Sequence, residues 1–116
     1  MTHSHTIERR VHQRRPYRTE VVFEDELGEG LFYVYSEDVS MGGIFLASVI
    51  PLRIGTMIFI SFHLPGHRRP IRMTGEVVRI TDPNQAGMKG MGVRFVGITE
   101  LARKRLEEFL SESSHH

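Results

Sequence analysis

The sequence, 116 residues long, contains no cysteine. Neither a disulfide framework nor a thiolate zinc site can therefore hold the chain together. It also lacks long hydrophobic runs: the longest, such as Met57-Ile58-Phe59-Ile60, falls far short of a bilayer span. The opening residues, MTHSHTIERRVHQRR, have no apolar stretch that could act as a secretory signal, so a cytoplasmic location without membrane insertion is expected. Helical periodicity is missing until residue 99. A chain of this length predicts one domain, large enough to bury a core without staples.

What is present reads as strands. Val21–Phe23, Leu31–Tyr35, Ile44–Leu46, Met57–Leu64, Ile71–Ile80 and Val93–Val96 are rich in β-branched and aromatic residues. Turn signals at Gly28-Glu29-Gly30, Pro51, Gly55, Pro65-Gly66 and Asp82-Pro83-Asn84 separate them. Short strands in succession, with no helix between them, predict an all-β antiparallel barrel or sandwich. One helix is predicted over 99–111. Thr99 is its N-cap, Glu100 suits the dipole of the first turn, and Ala102, Leu106, Phe109 and Leu110 form its apolar stripe. Residues 1–13 show no apolar periodicity and are expected to be a mobile arm; 14–111 form the single domain and 112–116 a tail.

Net charge is only +1, but it is unevenly placed. Residues 1–18 hold five arginines and one glutamate, and the other 98 hold ten basic residues against thirteen acidic ones. From Thr19 through Asp38 there are seven acids and no base. A basic arm on an acidic body implies a compact anion at the arm, not a nucleic-acid footprint across a face.

Two stretches stand out, RRPYR at 14–18 and DVSMGG at 38–43. Arginine grips phosphate oxygens or the O6/N7 edge of guanine bidentately. Pro16 keeps its segment extended or turned, with the arginines splayed. The alternative is a solvated charged arm. In DVSMGG, Asp38 accepts and Ser40 offers a hydroxyl; an extended backbone would put both on one face, suited to the N1–H and N2 donors of guanine. Gly42 and Gly43 permit a turn or a close approach. The alternative is a plain turn in which Asp38 caps local amides.

Together these stretches resemble the PilZ domain family, whose signatures are RxxxR and D/N-x-S-x-x-G. Arg14 and Arg18 match the first signature, and Asp38, Ser40 and Gly43 match the second. GEVVR at 75–79 is similar to the family's later G-x-V strand, and GMGVRF at 90–95 to its G-x-G-V-x-F strand, so the resemblance covers about residues 9 to 110. It implies a six-stranded antiparallel β-barrel with a flexible basic arm, one C-terminal helix, and cyclic di-GMP as ligand. Arg14 and Arg18 become the clamp on phosphates and guanine edges, Asp38 and Ser40 the readers of the base, and Gly43 the residue that keeps the surface open. Arg15 becomes a helper, and Arg79 falls where some members pack a side chain on a guanine. The pairing of Arg10 with Arg14 also fits RxxxR, but Arg18 directly precedes the first strand. Gln13 stands where an arginine accompanies the family's two-ligand mode, which leaves a monomer or a ligand-dependent dimer open. The segment Arg9 to Arg18 is expected to be mobile until the ligand orders it, making a surface for an effector protein.

No enzyme activity, metal or cofactor is expected. Ser40 lacks a G-x-S-x-G elbow, no second acid pairs with Asp38, and Pro65-Gly66 between His63 and His67 spoils their alignment for a metal. Two rival readings remain. One is a small barrel that stacks single-stranded nucleic acid on Phe32, Tyr33 and Tyr35, which the acids of 19–38 oppose. The other is a PilZ-like interaction module that binds no nucleotide.

Overall fold

The computed structural model describes residues 14–25, 28, 30–47, 52–81 and 90–113. The arm expected over 1–13 and the turns at Pro51 and Asp82–Asn84 lie outside these residues. The strands are β1 (Arg15–Pro16), β2 (Glu20–Asp25), β3 (Leu31–Val39), β4 (Gly43–Leu46), β5 (Met57–Phe62), β6 (Ile71–Ile80) and β7 (Met91–Ile98), followed by helix α1 (Glu100–Ser113).

Alternation along the strands decides which face is core. Val21 and Phe23 of β2, Ile58, Ile60 and Phe62 of β5, and Ile71, Met73 and Val77 of β6 all point inward and are buried. One sheet that buries one face of every strand can do so by closing on itself. The order β3-β2-β5-β6-β7-β4, with β4 returning to β3, is a closed six-stranded antiparallel barrel. The short β1 lies outside that ring. Val39 pairs with Arg15 of β1 on one edge and with Ile44 of β4 on the other, so β1 extends the edge of β3 that β2 occupies further back.

Thr99 caps α1 as expected: Ala102 N–H donates to its Oγ1 at 3.1 Å and Arg103 N–H to its carbonyl at 2.9 Å. Ala102, Leu106 and Phe109 seat the helix on the core. The helix runs past the expected end at 111 to Ser113. Among the described residues no helix is long and apolar enough to cross a membrane.

Three bulges interrupt the register; one, at Val96 of β7 opposite Thr74 and Gly75, lies away from the signature turn, and the other two shape it. In β3 the register shifts between Ser36 and Asp38, and in β6 between Val77 and Arg79. Each extra residue turns two successive side chains outward, Glu37 with Asp38 and Val78 with Arg79, between buried neighbours in β3 and after a buried Val77 in β6. The strand expected over Leu31–Tyr35 is longer for this reason. It carries the first half of DVSMGG as barrel wall.

Candidate functional site

The arm is fastened before any arginine takes part. Tyr17 N–H donates to Glu37 C=O at 3.0 Å, and Ser36 N–H to Thr19 C=O at 2.9 Å. The buried Ser36 hydroxyl donates to Tyr17 C=O at 2.5 Å and accepts from Thr19 N–H at 3.0 Å. Tyr17 sets its ring 4.8 Å from that of Phe109 and donates its hydroxyl to His63 C=O at 2.7 Å. Backbone pairing, Ser36 and Tyr17 thus hold residues 14–19, part of the segment expected to be mobile without ligand, against the barrel. The stretch Arg9 to Gln13 lies outside the described residues.

Ser36→Ala should cost about 1–3 kcal/mol, because it strips a buried partner from both Tyr17 C=O and Thr19 N–H. Amide exchange at Tyr17 and Thr19 should accelerate in that variant. Wild-type exchange rates there would show that the hydroxyl does not hold the arm.

Splayed by Pro16, the three arginines go three ways. Arg14 Nη1 donates to Asp38 Oδ1 at 2.5 Å. Arg18 Nη1 meets Glu37 Oε1 at 3.1 Å, and its guanidinium lies 4.8 Å over the Tyr35 ring. The Glu37 bulge makes both pairs possible, since it turns two adjacent carboxylates outward beneath the arm. Arg15, expected to be a helper in binding, turns the other way: its guanidinium stacks 3.9 Å over Phe109 and donates to that residue's carbonyl at 2.6 Å. It joins the arm to α1.

The second signature divides likewise. Asp38 is partly exposed and paired with Arg14. Ser40 is buried and its hydroxyl is engaged locally, accepting from Gly42 N–H and Gly43 N–H at 3.2 Å each. In the structure this hydroxyl shapes the turn. Gly43 is also buried. A Cβ there would collide with Val93 C=O and lie 3.3 Å from Arg94 Cα, so this glycine lets β4 reach β7 and does more than keep a surface open.

Beside this turn lies a cleft of about 390 Å³. Arg14, Arg79 and Arg94 line it together with Gly42, Gly43 and Val78. Three guanidiniums beside the half-buried backbone of Gly42 suit an anion with planar parts. Arg79 reaches it because the Val78 bulge turns it outward, and its guanidinium stands 5.5 Å from the Phe45 ring. Arg94 was not anticipated. It is the variable position of G-x-G-V-x-F, and pairing Gly43 with Arg94 across β4 and β7 is what brings it to the cleft, where Glu76 pairs with it at 2.5 Å. Only a known strand register could have picked it out. A larger hollow of about 750 Å³ is lined by β2, β3, β5, β6 and β7 and touches none of the signature residues. Among the described residues no cluster of His, Asp or Glu is arranged for a metal.

The closed barrel, the docked arginine arm and the glycine turn define one class. The sequence matches the PilZ domain over residues 8–112, and the chain belongs to that family. PilZ domains are in general effector domains for cyclic di-GMP. No curated protein matches the chain. Among solved structures it is similar to the Bacillus subtilis inhibitor of motility (MotI/DgrA), with TM-score 0.76 and 20% identity over 92% of this chain and 52% of that one. It spans about half of that protein's length. It is also similar to the PilZ domain of CeSA from a cellulose-synthesizing bacterium, with TM-score 0.63 and 21% identity over 90% of this chain and 99% of that one. Identities this low speak for the fold alone.

Proposed function

We propose that this domain is a non-enzymatic receptor that binds cyclic di-GMP at the cleft between the arm and the DVSMGG turn and relays the event to a partner protein. The observation that supports the reading is the convergence of Arg14, Arg79 and Arg94 on a glycine-walled cleft, with Asp38 held against Arg14. Arg14 and Arg18 take the phosphates and guanine edges, Asp38 accepts from a guanine's N1–H and N2 amino group, and Arg79 stacks on a base. Ser40 and Gly43 serve by fixing the turn.

The arginines must leave carboxylates to do this. Both pairs are solvent-exposed, and such pairs contribute about 0–1 kcal/mol, whereas a hydrogen bond to a charged group contributes roughly 1.5–3 kcal/mol. The exchange therefore favours the ligand. The arm is then held by the ligand as well as by the barrel, and the altered arm surface is what the partner reads.

Titration calorimetry with cyclic di-GMP, with GTP and a short oligonucleotide as controls, tests the reading. Saturable heat from the cyclic dinucleotide alone, weakening with salt, is expected; its absence overturns the proposal. Asp38→Asn keeps an acceptor and should largely retain binding. Asp38→Ala should lose much of the preference for guanine over adenine cyclic dinucleotides. Undiminished discrimination by the alanine variant would reduce Asp38 to a turn residue.

A further inference from the structure

We propose that the outer face of β2, β3 and β5 docks a basic amphipathic helix of a partner protein. On this face Leu31, Tyr33 and Phe59 are 58%, 63% and 50% exposed, large apolar side chains on well-paired strands. They are neighbours. Register places Leu31, Glu24 and Phe59 side by side in one row, and Tyr33, Val22 and Ser61 in the next. The hollow of about 750 Å³ lies here, with Leu31, Val22, Glu24 and Phe59 among its walls. Scattered exposed apolar residues need no explanation, but a contiguous set lining a hollow marks a contact surface.

The charges name the occupant. Glu24 stands between Leu31 and Phe59, and Glu20 lies four residues back on the same face, opposite Tyr35. Arg72, beside Ser61, is a lone cation on the far wall of the hollow, and Arg18 over Tyr35 is already paired with Glu37, so carboxylates prevail where the apolar side chains stand. Carboxylates set among apolar side chains call for cations on aliphatic stems, as lysine and arginine carry. The same acids repel a phosphate backbone, so the exposed tyrosines are poor platforms for single-stranded nucleic acid. Nor can an extended peptide add as a strand, because β2 and β5 are each paired on both edges. What remains is an element that satisfies its own backbone and presents an apolar stripe bordered by bases, namely a helix lying in a groove.

The test follows backbone amide shifts of the isotope-labelled chain on titration with a short amphipathic helical peptide of leucine and lysine only. Controls are its leucine–glutamate counterpart and an oligothymidine. Shifts at Val22, Glu24, Leu31, Tyr33 and Phe59 with the lysine peptide alone are expected. The double variant Tyr33→Ser/Phe59→Ser should bind it on the order of tenfold more weakly. Glu20→Lys/Glu24→Lys should reverse the preference toward the glutamate peptide. Both variants should keep the wild-type titration with cyclic di-GMP, which separates failure of this surface from failure of the ligand reading. Equal binding of the two peptides, shifts confined to other strands, or the same shifts with oligothymidine would overturn the proposal.

Discussion

Arg14→Ala is expected to weaken binding of cyclic di-GMP by on the order of 2–4 kcal/mol while leaving the barrel as stable as before. The two halves of that expectation come from the same geometry. Arg14 is about half exposed, with its side chain at 48%, and its pair with Asp38 contributes little to folding. In the proposed complex, its guanidinium would be one of few groups able to meet a phosphate or base edge bidentately, and removing it would leave that group unpaired. Arg18→Ala should behave alike, since its partner Glu37 is also at the surface. Titration calorimetry and thermal denaturation on the same samples read both quantities. Wild-type affinity in both variants would refute the assignment.

Gly43→Ala, within the second signature, is expected to fail in the opposite way. The new Cβ would fall on Val93 C=O and crowd Arg94 Cα, both of them backbone in the neighbouring strand. No flexible side chain can give way, so β4 and β7 must separate locally. A loss on the order of 2–4 kcal/mol is expected, which lowers the melting temperature by roughly 10 °C or more in a domain of this size. An unchanged melting temperature would show that this strand pair tolerates the widening.

The alternation of Val21 with Phe23 and the imperfect alternation of apolar and polar residues from Ile71 to Ile80 made the strands legible, and Thr99 with its stripe made the helix so. The paired signatures made the barrel legible as well. The division of labour inside them was hidden. Which way Arg14, Arg15 and Arg18 point depends on β1 pairing with the far end of β3 and on Phe109, which is distant in sequence. Ser40 seemed free because an extended backbone would have exposed it, whereas the tight turn to Gly43 buries it. Glu37 and Val78 carried no signal at all, since a bulge is a property of two strands in register and one strand alone does not reveal it. Phe32, Tyr33 and Tyr35 drew attention only as stacking platforms of a rival reading; Tyr33 and Tyr35 are exposed. The acids opposite them, Glu20 and Glu24, could be matched to them only once β2 and β3 were paired.

The stacking of Arg15 on Phe109 joins residues 94 positions apart in the chain. Opening of either end breaks this contact, so the arm and the last turns of α1 share one local opening unit. Any molecule that grips the arm draws on that unit's opening equilibrium and slows the fraying of a helix it does not touch. A label on the last turn of α1 can therefore report events at the first arginine.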